Sequence, residues 1–148
     1  FRLLSAGMIT RRLVSMLFGS LALAGAVFAD ELVVIAHPAS GVVALERTQV
    51  VHLFLGRTRA LPFGERATIY EVDAYRAPFY RQLVRQEIAE VDAYWARLRF
   101  SGRTQPPQLL EDGAAAVDRV AAEPHALAAV ASADIDERVR VVFRLPLP

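Results

Sequence analysis

Leu32-Val33-Val34-Ile35-Ala36 is an unbroken apolar run rich in β-branched residues. Its shortness suits a strand, and with no polar position alternating through it, both faces must be covered. A strand of that kind belongs in a sheet packed between helices, as in parallel α/β architectures. His37-Pro38-Ala39-Ser40-Gly41 breaks the run.

The segments that follow change period. Residues 45–55 read as a helix: Val50, Leu53 and Phe54 fall at i, i+3 and i+4, and Gly56 stands where a C-terminal cap belongs. Pro62-Phe63-Gly64-Glu65 is a turn, and residues 67–72 are a second strand. Pro78 suits the first turn of another helix, whose apolar side is Tyr80, Leu83, Val84 and Ile88. The next helix is the clearest. Val91, Tyr94, Trp95 and Leu98 form one stripe at i, i+3, i+4 and i+7, Gly102 ends it, and Pro106-Pro107 forbid continuation. Residues 113–122 are an Ala-rich fourth helix stopped by Pro124, and 126–130 and 139–143 are two further strands. The order β-α-β-α-α-α-β-β predicts one α/β domain over residues 30–148, with a mostly parallel central sheet and helices on both faces.

Residues 1–29 predict a signal peptide. Arg11-Arg12 precede an apolar stretch from Leu13 to Val27, and Val27 and Ala29 are small residues at the −3 and −1 positions. The stretch falls short of the ~20 residues a spanning helix needs. Cleavage after Ala29 and a periplasmic destination are expected, with membrane contact only through an uncleaved signal segment. Met8 is the expected true start, since it opens a better-proportioned leader. The chain has no cysteine, which excludes disulfides, a lipoprotein anchor and thiolate metal sites.

Every cation in the chain is arginine, and the 17 basic residues face 16 acids. Loss of Arg2, Arg11 and Arg12 with the leader tips the domain slightly acidic, so a nucleic-acid partner is not expected. An anion site here must use guanidinium, hydroxyl and backbone N–H groups. The loop after the first strand offers Ser40 and Gly41, and the loop after the second offers Asp73, Tyr75 and Arg76. Gly102-Arg103-Thr104 and Arg57-Thr58 are further Arg–hydroxyl pairs. The candidate anion ligands are Ser40, Gly41, Tyr75, Arg76 and Arg103. Each has a plainer alternative: a turn for Ser40-Gly41, and a solvated arginine for Arg76 and Arg103. Arg57, past a helix C-terminus, is favoured there by the dipole. His37, His52 and His125 are too scattered for a metal site. No nucleophile elbow, zinc-protease or phosphate-loop motif is present, so neither enzyme nor cofactor is expected.

Three stretches together resemble the short periplasmic relatives of the phosphate-binding proteins of ABC transporters. Phe54-Leu55-Gly56-Arg57 is similar to that family's helix end, and Arg76-Ala77-Pro78-Phe79 to its next helix start. Tyr94-Trp95, followed by Phe100-Ser101-Gly102-Arg103 and Pro106-Pro107, resembles the short-form members. The resemblance runs from about Leu32 to Val142. It implies a single lobe of the type 2 periplasmic-binding-protein fold, a phosphate-like oxyanion as ligand, and an ABC permease, porin or sensor as partner. The family's Ser-Gly-Thr loop is replaced by Asp73-Ala74-Tyr75-Arg76-Ala77-Pro78, and its Gly-x-Ile-Gly-Tyr segment by His125-Ala126-Leu127-Ala128-Ala129-Val130. Two functional readings follow: an oxyanion-binding module for uptake or sensing, and a non-transporting interaction module that has lost ligand binding. Mass spectrometry of the exported protein is expected to find Asp30 at its N-terminus, and a precursor starting upstream of Met8 would refute the assigned start.

Overall fold

The computed structural model describes residues 31–102 and 104–145. The leader over residues 1–29, its start at Met8, its cleavage after Ala29, and Arg103 lie outside the described residues. Five strands form one sheet: β1 (Leu32–Ala36), β2 (Thr68–Val72), β3 (Gln108–Leu110), β4 (Ala126–Ala131) and β5 (Arg140–Arg144). Four helices join them: α1 (Arg47–Phe54), α2 (Asp73–Val84), α3 (Ile88–Phe100) and α4 (Gly113–Ala122). The strand order is β3-β2-β4-β1-β5.

The two-sided burial of β1 is realised in full, since all five of its residues are buried. Alternate side chains go to opposite layers. Leu32, Val34 and Ala36 join Phe54, Phe79, Tyr80 and Trp95 of α1, α2 and α3 in one core. Val33 and Ile35 join Ala116, Val117 and Val120 of α4 in the other. Strand β4 splits in the same way, and its alanines keep the centre of the sheet thin. The larger core is aromatic where the helices meet, with the Phe54 and Phe79 rings 4.9 Å apart and those of Phe79 and Tyr80 5.3 Å apart. Burying each such side chain contributes roughly 1.5–3 kcal/mol.

Helices on both faces and the α/β class agree with the sequence, while strand direction is mixed. Strand β2 runs parallel to β3 and β4. Strand β1 is antiparallel to both neighbours, pairing Leu32 with Ala131 and Ala36 with Leu127 on one side. Burial on both faces reports the layers around a strand and not its direction, so the expectation of a parallel β1 is corrected. Two further details differ. Helix α2 begins at Asp73 directly after β2, so Pro78 lies inside it and not in its first turn. The bond that the Ala74 carbonyl would accept from residue 78 cannot form there. Strand β3, three residues long and largely exposed, carries no periodicity from which it could be read.

The end of α1 locks onto the middle of α3 around Gly56. It has φ +67°, and a Cβ there would lie 2.7 Å from the Trp95 ring. The Tyr94 hydroxyl donates to the Leu55 carbonyl at 2.6 Å, closing the same contact. Gly102 shares that φ but faces open space. Gly56→Ala is therefore expected to lower stability by roughly 1–3 kcal/mol through strain and displacement of the indole, and Gly102→Ala by only about 1 kcal/mol. Urea unfolding of both variants measures the difference, and equal losses would show that Trp95 yields freely.

Candidate functional site

Because β1 is antiparallel, the loops at the two ends of the sheet are not those expected of a parallel sheet. The C-terminal ends of β2, β3 and β4 share one edge, here the tip edge, which also carries the first turns of α2 and α4. The C-terminal end of β1 lies at the opposite edge, beside the start of β4. Tyr75 and Arg76 are thus at the tip edge, while Ser40 and Gly41 are at the far one, and these four do not form one site. The sequence placed them together by assuming a parallel β1. Ser40 and Gly41 shape a turn: the Ser40 hydroxyl accepts from the Val42 N–H at 3.2 Å, and Gly41 takes φ +76°. Arg103 lies outside the described residues.

At the tip edge the positions that favour an anion already hold this chain's own carboxylates. Asp112 caps α4, its Oδ1 accepting from the Ala115 N–H at 2.8 Å. Asp134, in the turn after β4, accepts from the Tyr75 hydroxyl at 2.8 Å and from the Ala131 N–H at 3.1 Å. Its carboxylate rests against Gly113, where an added Cβ would stand 2.0 Å from Oδ2. Only glycine can begin α4 beneath that group. Asp73 adds a third carboxylate in the first turn of α2.

Arg76 is likewise engaged from within. Its Nε donates to Glu71 Oε2 at 2.9 Å and its Nη2 to Asp92 Oδ1 at 2.7 Å. Glu71 is 3 % exposed and also accepts from the Tyr80 hydroxyl, which lies 3.3 Å from the Phe54 carbonyl. Burial pushes the Glu71 carboxyl above its ordinary range, against the pull of Tyr80 and Arg76. Burial and the neighbouring Glu71 push the Tyr80 hydroxyl well up. Sequence reasoning missed this cluster, although one acid in the strand Ile69-Tyr70-Glu71-Val72 was a signal that a buried charge needed a partner. Beside the cluster a groove of about 770 Å³ opens between α3 and β3, over Arg76, Asp92 and Trp95. Among the described residues no group of three or more His, Asp or Glu is placed to hold a metal ion, and no helix is long and apolar enough to cross a membrane.

No family model matches the sequence, and none of the curated proteins matches it. The fold does match solved structures. An ABC-type phosphate transport receptor from Vibrio cholerae superposes with a TM-score of 0.59 at 14% identity, over 76% of this chain and 45% of that one. A Clostridium perfringens protein with bound phosphate gives 0.59 at 16% identity, over 76% and 44%. PstS from Borrelia burgdorferi gives 0.55 at 8% identity, over 77% and 47%. The chain spans less than half the length of each, and its fold is that of one lobe of such a binding protein. At these identities the likeness is one of fold.

A carboxyl with a raised folded pKa binds its proton more tightly when folded. Its contribution to stability is therefore lost as pH climbs from the ordinary value near 4.5 through the folded one. Relative to Glu71→Gln, which keeps the shape without the charge, the natural protein is expected to lose stability across that rise, as read by urea unfolding at a series of pH values. Glu71→Ala, which strips partners from Arg76 and Tyr80, is expected to cost about 3 kcal/mol.

Proposed function

We propose that this chain is a non-catalytic, periplasmic single-lobe relative of the phosphate-binding proteins that acts as an interaction module and takes no phosphate at its strand tips. One observation carries the reading: the tip edge is filled by Asp134, seated on Gly113 and hydrogen-bonded to Tyr75. Phosphate arriving there would be a fourth anion beside Asp73, Asp112 and Asp134, at a cost of several kcal/mol for like charges in close contact. The nearby guanidinium is neutralised as well, since Arg76 already faces two carboxylates.

The surface that suits docking is the groove between α3 and β3. Strand β3 is at the edge of the sheet, with Leu109 53 % exposed on it and Phe100 95 % exposed at the nearby end of α3. An unpaired strand edge beside apolar side chains suits an extended segment of a partner, such as an envelope permease, porin or sensor. Oxyanion transport would instead require the tip edge to bind. Inorganic phosphate titrated into the labelled protein at constant ionic strength is expected to leave the Tyr75, Ala115 and Ala131 amide resonances in place. Saturable shifts at those amides would restore the transport reading.

A further inference from the structure

A second hollow, of about 380 Å³, lies at the far edge of the sheet between the ends of α1 and α3. Its third wall is a small hairpin before β2, in which Ala60 bridges Arg66 and the Ala67 N–H donates to the Arg59 carbonyl at 2.7 Å. That pairing sets Arg59 and Arg66 side by side, and Arg57 enters from the end of α1. Thr58, Thr104 and Gln105 contribute polar groups, and among the described residues no acidic one lines the hollow. The Arg57-Thr58 pair and Thr104 were visible in the sequence. Arg59 and Arg66 were not, because only the hairpin brings them to the same place.

Arg76, Arg81, Arg119, Arg138 and Arg144 each face a carboxylate. Among the described residues Arg57, Arg59 and Arg66 form no ion pair. Several other arginines, Arg47, Arg85, Arg97, Arg99 and Arg140, also lack an ion pair among the described residues, but Arg57, Arg59 and Arg66 are gathered in one hollow. Arg59 Nη2 donates to Thr104 Oγ1 at 2.8 Å and to the Gln105 carbonyl, but its Nε is buried with no partner among the described residues. A buried donor left unmet is uncommon and calls for an acceptor. Burial, and then the charge of Arg66, lower the Arg59 pKa from its ordinary value.

The helix ends do not account for these charges. The Leu55 carbonyl takes the Tyr94 hydroxyl, and that of His52 takes the Arg57 N–H. The Leu98 carbonyl takes the Ser101 hydroxyl, and that of Arg99 takes the Gly102 N–H. The dipoles of two helix C-termini supply about one elementary negative charge between them, so three guanidiniums leave a surplus of roughly two. Guanidinium forks and threonine hydroxyls are the donors that fit tetrahedral oxyanions.

We propose that this basin binds a doubly charged phosphate group, as the free ion or as the head of a phosphomonoester. It lies across the sheet from the tip edge, so the two regions answer to different amides and one can fail without the other. The test titrates inorganic phosphate and, separately, glycerol 3-phosphate into the labelled protein, with sodium chloride holding the ionic strength. Saturable shifts at Thr58, Thr104 and Gln105 are expected, with Ala115 and Ala131 still. Arg59→Gln removes the buried donor but also loosens the loop it braces. Arg57→Gln and Arg66→Gln alter exposed side chains, and each is expected to weaken binding about tenfold with an unchanged Tm in the absence of phosphate. Tighter binding of the ester assigns the basin to a phosphomonoester, and equal or weaker binding assigns it to the free ion. No saturation with either probe, a response that chloride alone reproduces, or unchanged affinity in both exposed variants would overturn the proposal.

Discussion

The two central strands, β1 and β4, have no face turned to water, and the rest of the architecture meets that condition. Eleven side chains in succession along them are buried, so an apolar layer must lie on each side of the sheet. Helix α4 supplies one layer with Ala116, Val117 and Val120. The three helices α1, α2 and α3 supply the other with larger, aromatic residues. The alanines of β4 allow both layers to approach closely. Loop positions, and with them the two candidate regions at the ends of the sheet, follow from where those helices begin and end.

Within the thicker layer the packing is not wholly apolar. Glu71 points from β2 into the side occupied by α2, and only Arg76 and Tyr80 make that tolerable. Asp92 then ties the same arginine to α3. The arginine that the sequence offered as an anion ligand is thus a clasp between a strand and two helices. Its position at the start of α2 is the one expected of a ligand, but its charge is already answered.

How much of this could be read from the residues depended on what each signal measures. Strand β1 and helix α4 were legible to the residue, since an unbroken apolar run reports burial directly and an Ala-rich segment closed by Pro124 reports a helix and its end. The stripe of Val91 and Trp95 placed α3 by its helical period. Direction was not legible: burial on two faces is equally satisfied by a parallel and an antiparallel neighbour, and the reversed β1 carried Ser40 and Gly41 away from Arg76. Strand β3 was hidden by its brevity and exposure. Asp134, Gly113 and Tyr75 are 21 or more residues apart in the chain wherever the contact crosses from β4 back to α4 or α2, so only the tertiary fold shows that one carboxylate fills the tip edge.

The reversed β1 also fixes how the domain meets whatever flanks it. Leu32 begins the strand at the tip edge, the neighbouring β5 ends there, and the Leu145 N–H donates to the Leu32 carbonyl at 3.0 Å. Glu31 and Arg144 pair at the same place, at 2.8 Å. Both boundaries of the described domain therefore leave from one rim. A tether attached at either boundary pulls on the strand tips and turns the opposite rim, with its unpaired arginines, outward toward whatever the tethered domain is reaching for.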